Sequence, residues 1–417
     1  MYKNKLFVLV FAIFIFTQFI ISQNNTNSPY TRFGYGDISD TNNGEQRAMG
    51  GIAIGSRSNF SINNVNPASY SCVDSMTFMF DVGASTLISR FTNQTGGKTT
   101  FNGNLEYITL QFPLAKWLGF SAGALPYSFS GYDFLQNETK ITGIKGFDSI
   151  PYRTKYWGQG GFSQVYSGLS ANLFNHISLG INAYYLFGNI DNKRSITTEN
   201  DSTLQVNSII ATNFRYRLGA QFYNTFAKKH DVTLGFIYEP KARLYGGFSS
   251  ITTGVLTDSI PNNYEFELPT IYGIGLNYTY DKRLSVGIDY TLQSWSDTKF
   301  YWDPVTSKNL ETLNNRSKLA IGVEYLPNPK GRKYFDRIHY RGGFNTSDSY
   351  FNVNGQSLPK NFGLSFGIGL PLRNSNTMIN ASFEYGKIGS TSLLSEDYFK
   401  FTFNATFNEH WFFKRKL

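Results

Sequence analysis

Along much of the chain apolar and polar residues alternate one by one. Ile177, Leu179, Ile181, Ala183, Tyr185 and Phe187 form one such row, Phe214, Tyr216, Leu218, Ala220 and Phe222 a second, and Leu284, Val286, Ile288, Tyr290 and Leu292 a third. A period of two belongs to a strand with one apolar and one polar face. The stretch 400–413 follows the same rule, with Phe401, Phe403, Ala405 and Phe407 on one side and Thr402, Asn404 and Thr406 on the other. Fourteen segments of strand length are predicted: 76–86, 103–112, 117–126, 163–173, 177–187, 213–223, 231–240, 271–280, 283–292, 317–326, 337–344, 361–370, 377–385 and 400–413.

A β-sandwich shares this period, so the connections decide between architectures. After the first strand they alternate between long and short. Residues 87–102, 127–162, 188–212, 241–270, 293–316, 345–360 and 386–399 are long, while 113–116, 174–176, 224–230, 281–282, 327–336 and 371–376 are short or moderate. Outer-membrane barrels have short periplasmic turns and longer outer loops. The predicted fold is therefore all-β, a 14-stranded antiparallel transmembrane β-barrel set in outer-membrane lipid of the Gram-negative type, with both termini periplasmic. Trp117, Tyr280, Tyr325 and Trp411 fall at the short-turn end and Phe187, Tyr238 and Trp295 at the long-loop end, as two aromatic girdles. Lys116, Lys228, Lys229, Lys282, Lys330, Arg332, Lys333 and Arg373 lie in or beside the short turns, where they meet lipid headgroups or simply water.

Residues 1–22 read as a signal peptide, since Lys3 and Lys5 precede the apolar run 6–16 and the cut falls after Ser22. No other apolar run approaches the roughly 20 residues that span a bilayer as a helix. Residues 23–75 are rich in Gly and Asn, contain Pro67 and make poor strands, so they are expected as an N-terminal hatch or plug folded into the lumen of the barrel formed by 76–417.

Composition agrees with a barrel: 17% of residues are aromatic, 16% are charged and 39 are Gly. Losing Lys3 and Lys5 with the leader takes the net charge from +9 to +7, and so much of it sits in turns that nucleic acid is not an expected partner. The single Cys72 makes no internal disulfide. With the apolar rows facing lipid, the opposite rows place Asp81, Arg215, Arg217, Glu239, Asp289, Lys318, Glu324, His339, Arg341 and Glu384 in the lumen. Charges of both signs in a narrow space pair with each other or with the plug, either as a structural network or along a substrate path. No catalytic site is predicted. His176 and His230 sit in turns and His410 near the terminus, while His339, on a strand, has no nucleophile singled out beside it. Neither a metal-ligand spacing nor a cofactor motif is present, and the glycines of 50–55 lack the strand-turn-helix context of a nucleotide loop.

The run Gln46-Arg-Ala-Met-Gly-Gly51, the triplet Asn66-Pro67-Ala68 ahead of the first strand, and the fourteen strands together resemble the FadL-type family of long-chain fatty-acid and hydrocarbon transporters. So do Gly367-Ile-Gly-Leu-Pro-Leu-Arg373, Glu384-Tyr-Gly386, Glu396-Asp-Tyr-Phe399 and Trp411-Phe-Phe-Lys-Arg415, in the manner of a divergent branch. The resemblance implies a hatch carrying Asn66, Pro67 and Ala68, capture of a hydrophobic small molecule by outer loops, and a sideways exit through a gap made by a kinked strand. Gly119, Gly123 and Pro126 of the third strand are candidate kink sites, because Gly weakens a ladder and Pro removes a donor. Phe129, Tyr132, Phe134, Phe147, Tyr152, Tyr156 and Trp157 in the following loop form either an apolar capture groove or a loop cap. FadL-like barrels also serve as accessory subunits of the type 9 secretion apparatus, which makes a secretion-system protein the rival partner.

Overall fold

The computed structural model describes residues 25–410, apart from 95, 145–146, 199–200, 254–257, 263, 304–307, 310, 354, 373–375 and 392. The signal peptide, Arg373, and the aromatic and basic end at 411–415 lie outside the described residues. Fourteen strands form one antiparallel ring. They are β1 (Thr77–Thr92), β2 (Gly97–Ala115), β3 (Leu118–Ile144), β4 (Phe147–Leu173), β5 (Ile177–Thr197), β6 (Ser202–Phe226) and β7 (His230–Glu239). Then come β8 (Ile271–Tyr280), β9 (Leu284–Gln293), β10 (Arg316–Tyr325), β11 (His339–Ser347), β12 (Asn361–Pro371), β13 (Met378–Ser390) and β14 (Leu394–His410). The last strand pairs back onto the first, from Thr77↔His410 to Thr92↔Ser395, and closes the barrel.

The alternation acts as the solvent demands. In β5 the row Ile177, Leu179, Ile181, Tyr185 and Phe187 is exposed on the outside, while Ser178, Asn182 and Tyr184 are buried inside. An exterior of Leu, Ile, Val, Phe and Tyr suits hydrocarbon, and a closed ladder leaves few backbone groups to be desolvated there. The tight connections carry consecutive positive-φ residues, at Phe174 and Asn175, at Ala227 and Lys228, and at Asp281 and Lys282. Two central residues of this kind give the turn whose twist matches that of a hairpin.

Strand extents depart from the sequence reading. The stretch 127–162, expected as a loop, is occupied by β3 and β4, which remain paired out to Ile144↔Phe147. Likewise β5 and β6 fill most of 188–212 and meet at Thr197↔Ser202, while β1 and β2 fill most of 87–102 up to Thr92↔Gly97. A strand of 27 residues at about 3.3 Å per residue far outruns a hydrocarbon layer about 30 Å thick. Beyond the membrane there is no lipid to impose one apolar face, so the pattern that marks a strand fades. The described aromatics Phe129, Tyr132, Phe134, Tyr152, Tyr156 and Trp157 thus sit on these hairpin extensions. Trp295, expected in the outer girdle, is instead buried, 1% exposed, whereas Trp117, Tyr280 and Tyr325 are exposed at the short-turn end.

Residues 25 to 76 lie inside the ring and touch it nearly all the way round. A Cβ added to Gly119 would lie 2.1 Å from the Tyr70 carbonyl oxygen, one on Gly235 2.0 Å from that of Ile54, and one on Gly343 2.1 Å from the Gly50 nitrogen. Tyr35 of this segment joins a buried aromatic cluster with Phe162, Trp295, Phe300 and Tyr350, in which the Trp295 and Tyr350 ring centroids are 4.8 Å apart.

Candidate functional site

The feature that sets one sector of the wall apart is the seam between β2 and β3. It is paired over seven positions only, from Ala115↔Leu118 to Ile108↔Ala124. Beyond these, β2 continues against β1 and β3 continues against β4, and the two are not paired with each other among the described residues. Each lip carries an irregularity. Between Gly83 and Ala84 the partner jumps from Tyr107 to Leu105, which leaves Glu106 as an extra residue in β2. Tyr127 is passed over in the β3 to β4 register between Pro126 and Ser128. Such bulges bend a strand and re-aim its side chains.

Pro126 therefore lies just past the last pair of the seam, where a missing N–H donor fits a strand leaving its neighbour. Gly119 and Gly123 lie within the paired part, opposite Pro113 and Thr109. Gly119 makes room for the Tyr70 carbonyl, and a Cβ on Gly123 would be 2.5 Å from the Ile108 oxygen.

The N-terminal segment lines this split. Its two-residue strand Asp37–Ile38 pairs with Phe129 and Ser128 on the free edge of β3. On the opposite lip Asn27 Nδ2 donates to Asn102 Oδ1 at 3.0 Å, and Asn104 Nδ2 donates to the Asn25 carbonyl at 2.8 Å. Behind the split is a cavity of about 180 Å³ touched by Asn104 and Phe129 from the lips and by Asp40, Arg316 and Lys318 from within.

Asn66, Pro67 and Ala68 form an anchor. Asn66 caps the 3-10 helix Pro67–Cys72, its side chain accepting from the Ala68 N–H, and Pro67 fills the first helical position, where its lack of an N–H is harmless. Asn66 Nδ2 also donates to the Ile54 carbonyl at 2.8 Å. The Ala68 carbonyl accepts from Ser170 and Ser178 at 2.8 and 2.5 Å, and a Cβ on Gly180 would meet Pro67 backbone at 2.4 Å.

The ten inward charges fall into separate groups. Glu239 accepts from both Arg215 and Arg217. Arg341 binds Glu324 at 2.6 Å and reaches Glu45 of the inner segment at 3.5 Å, with His339 Nδ1 3.2 Å from the same Glu324. Lys318 binds Asp40 at 2.5 Å, and Asp289 accepts the N–H groups of Ala53 and Ile54 at 2.6 Å each. Asp81 accepts from Asn404 and Tyr107, and Glu384 accepts from the Tyr398 hydroxyl.

A further group went unread in the sequence: Glu106, wholly buried, binds Arg47 and Lys400 at 2.7 Å each. In the inner segment, burial alone would raise the Asp40 carboxyl, but Lys318 and Arg316 hold it well below the usual carboxylate range. Asp37 is pushed up by burial, against the pull of Arg316 and Lys400, and burial raises the Tyr35 phenol well above its ordinary value. Among the described residues no group of three or more His, Cys, Asp and Glu is placed to hold a metal ion.

Several solved barrels share this architecture. A Pseudomonas aeruginosa FadL homologue matches with a TM-score of 0.58 at 15% identity, covering 89% of this chain and 99% of its own. The Pseudomonas putida toluene transporter TodX matches at 0.58 and 14%, covering 90% and 99%, and the Ralstonia pickettii toluene transporter TbuX at 0.57 and 13%, covering 89% and 99%. These likenesses bear out the FadL-type fold. No curated protein matches the sequence. The profile of one family matches it over residues 1–417, and on that match the chain belongs to the BamG family.

Proposed function

We propose that this barrel passes small hydrophobic compounds, of the long-chain fatty-acid or hydrocarbon kind, across the outer membrane, with residues 23–75 acting as hatch and the split between β2 and β3 as a sideways exit. The observation that carries the reading is the parting of the two strands beyond Ile108 and Ala124, with a cavity directly behind it. An apolar molecule leaving there enters the bilayer and avoids the aqueous periplasm. The short-turn end, with both termini, faces the periplasm, and the long hairpins face outward, as in barrels generally. The similar structures named as toluene transporters support the same reading and speak against an enzyme.

A second reading, an accessory or structural subunit of a type 9 secretion apparatus, is favoured by one observation. The aromatic cluster in which Tyr35 of the inner segment packs with Trp295 and Tyr350 is buried and ties that segment to the loops after β9 and β11, as a fixed assembly would. Uptake of radiolabelled toluene and oleate by cells with and without the barrel, together with mass spectrometry of what is retained on gentle purification, separates the two. Barrel-dependent uptake with bound lipid is expected. A stoichiometric protein assembly with no uptake would overturn the passage.

A further inference from the structure

The cations of the short-turn end are not spread evenly round the ring. Three neighbouring turns carry most of those described: Lys228 and Lys229 between β6 and β7, Lys282 and Arg283 between β8 and β9, and Lys330, Arg332 and Lys333 between β10 and β11, all exposed. Across the ring, the turn at the split between β2 and β3 has Lys116 alone, and the turn 174–176 between β4 and β5 has no Lys or Arg. The acids in and beside the three basic turns are Asp231, Asp281 and Asp336. Asp281 lies 3.9 Å from Lys229, and Asp231 accepts from the Thr225 hydroxyl at 2.6 Å. Asp336 is folded onto its own turn, where a Cβ on Gly331 would meet its carboxylate oxygen at 2.7 Å. Lys229 apart, these cations make no ion pair among the described residues.

Backbone geometry adds an independent sign. The turns Phe174-Asn175, Ala227-Lys228 and Asp281-Lys282 share positive φ at both central residues. The second of these positions favours Gly or Asn, and Asn175 obeys. Lys228 and Lys282 sit there instead, at φ 61° and 55°, in a region that a long side chain adopts at a cost. A lysine merely dissolved in water gives nothing in return.

Depth points to the partner. Phe226, Tyr280 and Tyr325 are exposed at the ends of the strands that enter these turns. Such aromatics mark the boundary between hydrocarbon and headgroups, so the cations just past them stand at headgroup depth, on stems long enough to follow a fluid layer. We infer that this arc of the rim, from β6 to β11, gathers anionic phospholipid, its lysines and arginines taking the phosphate groups of the leaflet at the short-turn end. A folded protein partner presents a face, whereas these cations follow a curve round three hairpins. The selection of lipid stands apart from the transport reading; only the naming of the leaflet as periplasmic rests on the orientation proposed above.

Electron paramagnetic resonance of spin-labelled lipids tests it, on the full-length barrel reconstituted in phosphatidylcholine vesicles with a trace of labelled phosphatidylglycerol or labelled phosphatidylcholine. Among lipids immobilised at the barrel surface, phosphatidylglycerol should be favoured roughly twofold or more at low salt, and the preference should fall in concentrated NaCl. Lys228→Gln, Lys282→Gln, Arg283→Gln, Lys330→Gln, Arg332→Gln and Lys333→Gln combined should abolish it. Lys228→Arg, Lys282→Arg, Lys330→Arg and Lys333→Arg combined should keep it, and Lys116→Gln should change nothing. The heat-dependent gel shift of a folded barrel checks that each variant is intact. Equal immobilisation of the two lipids by the native barrel, or a preference that survives the glutamine variant, would overturn the inference. So would an acidic protein retained stoichiometrically on the native barrel and lost from the glutamine variant while both lipids are immobilised alike, which would make the arc a protein dock.

Discussion

Two seams of the same wall differ in how they hold together. Between β8 and β9 the ladder runs unbroken through ten pairs, from Ile271↔Gln293 to Tyr280↔Leu284. Between β2 and β3 it stops after seven, and a separate piece of chain attends to the edges. Free backbone N–H and C=O groups at membrane depth are costly, so a gap persists only where something else satisfies them. On β3 that is Asp37–Ile38, while β2 holds the segment through its own Asn102 and Asn104 side chains rather than through its backbone. The lesson is that the weak seam and the inner segment form one device, whereas the strong seam would stand without help.

The sharpest way to break the comparison is to lock the device. Cysteines at Asn27 and Asn102, whose side chains touch at 3.0 Å, joined by oxidation or a short thiol linker in a Cys72→Ser background, should lower uptake at least tenfold. Reductant should restore it for the oxidised pair. The same bridge between Thr279 and Ser285, opposite each other in the intact seam, should leave uptake unchanged. Equal rates for both locked barrels would detach the split from transport.

A third seam shows a different remedy. β6 pairs with β7 up to Leu218↔Tyr238 and resumes, one residue out of step, with Ala242–Thr253 from Thr212↔Tyr245. Glu239 sits opposite this interruption and is held by Arg215 and Arg217. Glu239→Gln strands two buried cations, and removal of one partner from a buried pair costs about 3–5 kcal/mol. A lowered denaturant midpoint for the barrel in detergent is the expected result. Asp133→Asn, which breaks the exposed pair with Lys155, should cost under about 1 kcal/mol. Similar midpoints for the two variants would mean the interruption needs no ionic stitch.

These seams also show what was legible beforehand. Fourteen strands could be read because lipid on one side and polar lumen on the other force a period of two, and the rows from Ile177 to Phe187 and from Leu284 to Leu292 obey it. Glu106 was hidden for the same reason. Thr109 and Gln111 mark the inward parity of lower β2, which would send residue 106 outward, but the irregularity opposite Gly83 and Ala84 reverses the parity, and Asn102 and Glu106 are buried instead. Its partner Arg47 lies in a segment with no periodicity at all, so nothing in the sequence brings the two together. Trp295 misled because an aromatic at a strand end serves a girdle and a loop cluster equally well.

The gentlest test asks which glycines belong to the inner segment and which to the wall alone. Gly235, in β7, faces the segment so closely that an added Cβ would be 2.0 Å from the Ile54 carbonyl oxygen and 2.6 Å from its carbon. These are backbone atoms, which no rotamer change can move aside. Gly342, in β11, is as much a strand glycine, yet its Cβ would find nothing nearer than Val323 at 3.8 Å. Gly235→Ala should therefore push residues 54 and 55 inward and expose Arg57 to trypsin, with the heat-dependent gel shift of the barrel preserved. Gly342→Ala should change stability by less than about 0.5 kcal/mol and leave the tryptic pattern alone. If Gly235→Ala is equally silent, the segment can retreat without loss, and its close fit against the strong seams is not what holds it in place. The contacts along the split would then have to carry that task alone.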